Sequence, residues 1–227
     1  VSRTHPEQWT VRTDAPRADP DVVAALAALP TTQIADSGGP VGVLAPGIGP
    51  VAGPVDFCGS AVTVWTKPGD ILFLLKAPDL IAPGDVLVVD GGGRLDAAVV
   101  GDFVARLLRA RGATGLVVDG AVRDVDGIRD SGLPVLARGA HPATGSKDGP
   151  GALGVAVSCG GVVVRPGDVV RADASGAVVV PRDAAAEVLA LTREVAAREA
   201  GWEREIAAGA TFTTIFDLDA VIRRRGA

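Results

Sequence analysis

The chain has 227 residues, 48% of them hydrophobic and 22% charged, which is the composition of a folding domain rather than of a disordered segment. Its formal charge of -5, with "RRR" at 223–225 as the one basic run, argues against a polyanion such as nucleic acid as a partner. Two histidines and two cysteines, Cys58 and Cys159, neither in a CxxC, are too few for a zinc cluster; both cysteines suit buried packing. The N-terminus lacks the apolar core of a signal peptide, and no apolar run approaches the length of a membrane span. A soluble, cytoplasmic protein is expected.

In chain order, residues 1–19 are polar and contain proline, and predict an arm laid over the surface of a domain spanning 20–216, with 217–227 as a tail. "DPDVVAALAALP" predicts a short helix opened by Asp and Pro and stopped by Pro30. "TTQIADSGG" predicts another, capped by Thr and ended by Gly38, and "GSAVTVWT" alternates like a strand. "KPGDILFL", "APGDVLVVD" and "RPGDVVRAD" each place a Pro-Gly-Asp turn before an apolar run, with a strand leaving at least the last two. "GVVVRPGDVVRADASGAVVVP" reads as a three-strand meander. "VVGDFVARLLRARG" has helical spacing, with apolar residues at 103, 104, 107 and 108 and Gly112 as its stop. "GLVVDG" is a buried strand, and the longest helix runs from Asp183 to Ala208. Few helices and clustered strands predict an α/β sandwich, neither doubly wound nor a barrel.

The stretch "GDFVARLLRARGATGLVVDGAVRD" carries the candidate chemistry. Asp102 falls at a helix start, where the Phe103 and Val104 amides are donors without intrahelical partners. Arg123 and Asp124 follow a strand, and a turn there could bring them to the same helix start. That would assemble two amides and a guanidinium for a carboxylate, and a carboxylate for a divalent cation. The same spacing also fits a helix cap beside a surface turn with an ion pair.

From about residue 30 to 216 the chain resembles the family that joins 4-hydroxy-4-methyl-2-oxoglutarate aldolase to the RraA-like regulators of RNase E. The resemblance rests on "TTQIADSGG", "PGDVLVVDGGG", the Asp-x20-Arg-Asp spacing, "PVLARGAHP" and the "RPGDVVRADASGAVVVP" segment taken together. It implies a swivelling-type α/β/β/α sandwich, a homotrimer or homohexamer, and active sites at subunit interfaces. In the aldolase branch it implies a metal-dependent (class II) pyruvate aldolase acting on a small 4-hydroxy-2-oxoacid, with oxaloacetate decarboxylation as a side activity. Asp124 would ligate Mg²⁺, with Mn²⁺ or Co²⁺ as substitutes, and waters would fill the other positions of a hard octahedral ion. Arg123 would hold the pyruvyl oxygens and stabilise the enolate. Gly101 and the Phe103 and Val104 amides would receive the carboxylate, and Asp102 would orient a metal-bound water for proton transfer.

The regulator branch, a non-catalytic protein-binding alternative, usually has Gly in place of Asp102 and an acidic residue in place of Gly127. Both differences favour the enzyme. "PGDI" at 68–71 departs from the Gly-Asp-Asn of many relatives. On the long helix, Val188, Leu191, Val195, Trp202 and Ile206 form one stripe, with Glu199 inside it. A carboxylate on an apolar face needs a partner or a use. The resemblance makes Glu199 the glutamate that a neighbouring subunit contributes, and a buried salt bridge to an Arg is the alternative. The loop at 138–151, with His141, Lys147 and Asp148, suits contact with the variable half of a substrate and equally suits a mobile surface loop.

Overall fold

A computed structural model describes residues 5–226; residues 1–4 of the expected arm and 227 of the expected tail lie outside the described residues. The strands are β1 (Thr10–Val11), β2 (Gly42–Val43), β3 (Gly49–Ala52), β4 (Phe57–Thr66), β5 (Asp85–Asp90), β6 (Ala98–Val100), β7 (Gly115–Val122), β8 (Val135–Ala140), β9 (Gly151–Leu153), β10 (Val157–Cys159), β11 (Val162–Val164), β12 (Val169–Asp173) and β13 (Gly176–Val180). The helices are α1 (Pro20–Ala27), α2 (Thr31–Ala35), α3 (Leu72–Lys76), α4 (Asp102–Ala110), α5 (Val125–Ser131), α6 (Ala185–Ala207), α7 (Phe212–Ile215) and α8 (Leu218–Arg225).

The period of two along the strands builds the layers. Val62 and Val64 of β4, Leu87 and Val89 of β5, and Leu116 and Val118 of β7 face a core that also holds Leu74 of α3, Leu108 of α4 and Ile128 of α5. Their neighbours Ala61, Trp65, Val86, Val88 and Val117 point the other way, into a core shared with Val170 of β12 and Val179 of β13. The far sides of β12 and β13, with Val169, Val178 and Val180, meet Leu26 of α1, Ile34 of α2 and Val188 of α6. Helices therefore cover both outer faces and two strand layers meet between them, which is the expected α/β/β/α sandwich.

One continuous sheet curls to make both inner layers, in the order β2-β13-β12-β4-β5-β7-β8-β3. β4 is the shared strand: its first half pairs antiparallel with β12 and its second half parallel with β5. β5, β7 and β8 continue the parallel run. Consequently the carboxyl ends of β5 and β7 open onto one edge of the sheet and their amino ends onto the other.

Four local readings need correction. The segment expected as a three-strand meander splits: β12 and β13 form a hairpin, whereas β11 pairs with β10 in a separate two-stranded sheet. Thr31 does not cap α2. Pro30 takes the cap position, and the Thr31 amide and hydroxyl both donate to the Asp173 carboxylate at 2.8 Å. On α4 the buried side chains are Ala105 and Leu108, while Phe103 is 83% exposed. Helix 102–110 lies on the sheet with a narrower face than its apolar residues suggested. On α6 the stripe is buried at Val188 and Val195 but emerges by Ile206, which is exposed, because α6 outruns the sheet beneath it.

The described part of the N-terminal arm is strapped to the sheet. β1 runs parallel to β9, and Arg17 forms a two-pronged ion pair with buried Asp85 at 2.7 and 2.9 Å. Among the described residues, no helix is long and apolar enough to cross a membrane. Both cysteines are free, Cys159 buried and Cys58 partly so.

Candidate active site

The site begins with the short pairing of β6 and β7. The Arg123 amide extends that ladder by donating to Val100 O at 2.8 Å, so the residues after both strands leave side by side. One becomes Gly101 and the start of α4; the other becomes the Arg123–Asp124 turn and the start of α5. Asp124 sits in the left-handed region (φ 54°, ψ 45°), a conformation that Asp tolerates better than most residues but at some cost. It turns the carboxylate back toward α4. A Cβ on Gly101 would lie 2.8 Å from Asp124 Oδ2 and 3.3 Å from Arg123 Cγ, so a side chain there would displace the carboxylate from its present position. The stretches expected to meet do meet.

Three polar elements converge there. The first is the amino end of α4, where Gly101 supplies no side-chain cap, so the first-turn amides remain open to an acceptor from outside. The second is the Arg123 guanidinium. Its Nε donates to Asp124 Oδ2 at 3.0 Å, and its two terminal nitrogens have no acceptor among the described residues. The third is the pair of carboxylates. Asp102 is the less exposed, with 19% of its side chain accessible, and lies 3.4 Å from Arg106 one turn along the helix. Asp124 is 40% exposed. Phe103 offers only its amide, because its ring points into solvent.

Gly127 completes the geometry. A Cβ there would lie 2.7 Å from the Asp102 Cβ and 3.0 Å from its Oδ2. Positions 102 and 127 therefore share one volume, and a side chain at either leaves room for little at the other. This is a physical reason for the paired expectation that Asp goes with Gly here, and Gly with an acidic residue in the regulator branch.

The loop at 138–151 is fastened rather than loose. The His141 amide donates to Val122 O and the Ala98 amide to Ala143 O, both at 2.8 Å, which lays the loop beside β6 and the end of β7. Its far end closes on Asp70, a fully buried carboxylate that accepts from Ser146 Oγ (2.6 Å), Leu72 N (2.9 Å), Asp148 N (2.8 Å) and Gly149 N (2.9 Å). Burial pushes the Asp70 pKa up, but these four donors together outweigh it and hold the group below its usual value. Sequence reading missed Asp70. The available signal was that its Pro-Gly-Asp copy is the one followed by a helix rather than a strand. Asp119 was missed too: within β7 it takes Arg138 on both oxygens and the Gly160 amide at 2.7 Å.

Glu199 lies apart from this assembly. It is half-buried on α6 and accepts from Gln33 Nε2 of α2 at 2.7 Å, so its partner within the chain is an amide and not an Arg. α6 belongs to the helical layer opposite the one that holds α4 and α5.

Among the described residues, no group of three or more His, Cys, Asp or Glu side chains could together hold a metal ion. That donor set does not suit a tetrahedral zinc site. The single Asp124 carboxylate is the kind of donor that a hard cation keeping several waters would use.

The fold is a mixed α/β sandwich, and it sets a carboxylate–guanidinium turn against the start of a helix. The family model described as RraA-like, Aldolase/RraA, matches residues 24–179, and the chain belongs to that family. A protein of Halalkalibacterium halodurans named "Putative 4-hydroxy-4-methyl-2-oxoglutarate aldolase" is 36% identical over 190 residues, covering 84% of this chain and 90% of the relative. A Pseudomonas aeruginosa protein of the same name is 41% identical over 142 residues, 63% of this chain and 87% of the relative. Among solved structures, Streptomyces coelicolor RraAS2, described as an unusual member of the RNase ES inhibitor RraA protein family, superposes with a TM-score of 0.72. It is 31% identical, with 83% of this chain and 96% of that one covered. The RNA-processing inhibitor RraA from Thermus thermophilis gives 0.63 at 33% identity, covering 67% and 92%.

The shared volume of Asp102 and Gly127 gives a direct test. Gly127→Ala should lower turnover at least tenfold by displacing the Asp102 carboxylate, and the fold should lose about 1–3 kcal/mol of stability through overpacking. Adding Asp102→Gly should return the stability but not the turnover. Urea unfolding and steady-state kinetics check both; a single variant with unchanged stability and rate would refute the crowding.

Proposed function

We propose that the chain is a divalent-metal-dependent pyruvate aldolase that cleaves a 4-hydroxy-2-oxoacid, such as 4-hydroxy-4-methyl-2-oxoglutarate, into pyruvate and a second carbonyl compound. The observation that carries this reading is the contact between the Arg123–Asp124 turn and the uncapped start of α4. The family supports an aldolase-like or an RraA-like role, and the relatives named for the aldolase favour the first.

In this proposal the substrate carboxylate accepts hydrogen bonds from the Phe103 and Val104 amides at Gly101, where the helix dipole also favours negative charge. The free fork of Arg123 faces the 2-oxo oxygen. Cleavage removes the proton of the 4-hydroxyl, breaks the C3–C4 bond and sends its electron pair toward the 2-oxo group, leaving the enolate of pyruvate. Arg123 donates to the oxygen on which that charge develops. Asp102 lies at the same helix start and holds the proton, which returns to C3 when pyruvate forms. A divalent cation held by Asp124, Mg²⁺ with Mn²⁺ or Co²⁺ as substitutes, would add positive charge at the oxo acid. Oxaloacetate enters the same scheme, since loss of CO₂ from C4 leaves the same enolate. No lysine is required.

The second reading is a non-catalytic RraA-like regulator, which the Streptomyces coelicolor and Thermus structures favour by their likeness. A coupled lactate dehydrogenase assay separates the two. Pyruvate should be released from 4-hydroxy-2-oxoacids and from oxaloacetate, should stop after EDTA, and should resume with Mg²⁺. Arg123→Lys should lower kcat roughly 100-fold, because an ammonium cannot span two oxygens as the planar fork does. No pyruvate from any such acid, or full turnover without metal, would remove the aldolase reading.

Glu199 enters as a residue lent to a neighbour. It projects from the helical layer opposite its own chain's turn, so a homotrimer or homohexamer would bring it to the Asp124 of another chain. Mixed oligomers of Asp124→Ala and Glu199→Ala chains should then recover part of the activity that each parent lacks. Mixed oligomers no more active than the parents would leave Glu199 as the structural partner of Gln33.

A further inference from the structure

A groove opens on the sheet edge opposite the Arg123–Asp124 turn, at the amino ends of β4, β5, β7 and β8. Its larger part, about 470 Å³, is lined by Phe57, Cys58, Arg109, Thr114, Pro134 and Arg171, among others. A second part, about 420 Å³, continues past Ala27 and Cys58 to Arg17 and Asp85. Either volume is of the size that holds a small metabolite. No residue lining the groove belongs to the candidate active site.

Two guanidiniums border the larger part. Arg171 is 6% exposed and firmly held: Nε donates to Leu29 O at 3.1 Å, and Nη1 donates to Asp56 and to the carbonyls of Phe57 and Ala172. Its Nη2 has no acceptor among the described residues. The Arg109 side chain, in the last turn of α4, has no hydrogen bond or ion pair among the described residues. Arg171 is answered by Asp56, whose side chain is 78% exposed and therefore heavily screened by solvent, and at longer range by Asp173, which is already bonded to Thr31 and the Ser175 amide. The Cys58 thiol adds no negative charge. Burial pushes its pKa up to about 11, outweighing the pull of Arg171.

A buried, immobilised guanidinium with an unused nitrogen, beside a second cation without a partner, is an arrangement that an oxyanion completes. We propose that this groove binds a small oxyanion, a phosphate or a carboxylate group, between Arg109 and Arg171. The remaining volume past Cys58 receives the body of the molecule that carries it. The groove and the candidate active site are the two ends of one helix–strand unit. α4 runs from Asp102 to Arg109, a rise of about 10 Å, and β7 runs from beside Thr114 to the Arg123–Asp124 turn.

Calorimetric titration of the full chain tests this, using inorganic phosphate and succinate in separate arms at matched ionic strength, with chloride as the control. At least one of the two should bind saturably where chloride does not. Arg109→Ala, a surface change, should weaken that binding about tenfold or more, the scale of a lost charged hydrogen bond. Asp56→Asn should tighten it, a direction that a loosened fold would not produce. In an Arg123→Ala background, which disables the carboxylate site at the start of α4, saturable binding should persist and should still weaken with Arg109→Ala, which separates the groove from the active site. Binding of phosphate alone assigns a phosphoryl ligand, and of succinate alone a carboxylate. Absence of saturable binding by either anion would overturn the proposal, as would binding indifferent to Arg109→Ala or abolished by Arg123→Ala.

Discussion

The Asp124 carboxylate occupies the space that a Cβ on residue 101 would need, and most of the candidate site follows from that close approach. It exists because β6 and β7 run side by side to their ends, so that α4 and the turn before α5 must start within touching distance. A side chain at 101 would displace the Asp124 carboxylate. The left-handed backbone at Asp124, of order 1 kcal/mol in strain, is the local cost of aiming the carboxylate inward. It is held by a strand whose eight residues are all buried and by Ile128 of α5, also fully buried. The apolar core thus supplies the rigidity with which a solvent-facing site keeps its geometry.

The carboxyl edge of the sheet is organised by buried carboxylates. Asp90, the last residue of β5, and Asp119, within β7, are register partners, and each receives a backbone amide from the segment around β10. Asp70 does the same for the loop at 141–149. A buried carboxylate is tolerated only when donors surround it. Each therefore fixes the backbone that provides its donors, and the loops beside the site gain order from the inside of the molecule. The amino edge differs in that, beside the buried Asp85 carboxylate with its donors Arg17 and the Ala82 amide, it also buries a cation, Arg171, part of whose bonding capacity is unused.

Much of this was legible in the sequence. Strand periodicity gave the two-faced strands, and Gly112 and Gly209 marked helix ends because the backbone there has positive φ. The meeting of Asp102 with Arg123 and Asp124 could be anticipated from a strand, a turn and a helix start placed at the right separations. What could not be read was partnership. β11 has the pattern of a meander strand, yet it pairs with β10, to which only Gly160 and Gly161 join it, and not with β12, which follows the longer Pro-Gly-Asp link. Phe103 and Leu107 are apolar but outward-facing, because nothing in a single helix says how wide a face its sheet will cover. Glu199 was found by helical geometry, but its amide partner Gln33 lies far away in sequence.

The central claim is that Asp102, Arg123 and the start of α4 form and protonate a pyruvate enolate. Exchange of the pyruvate methyl protons with D₂O, followed by proton NMR in the presence of Mg²⁺, tests it without requiring the natural substrate. The account predicts steady exchange by the wild type, and none above background by Asp102→Gly, although that variant still binds pyruvate. Absence of exchange in the wild type, or equal exchange in the two proteins, would contradict it.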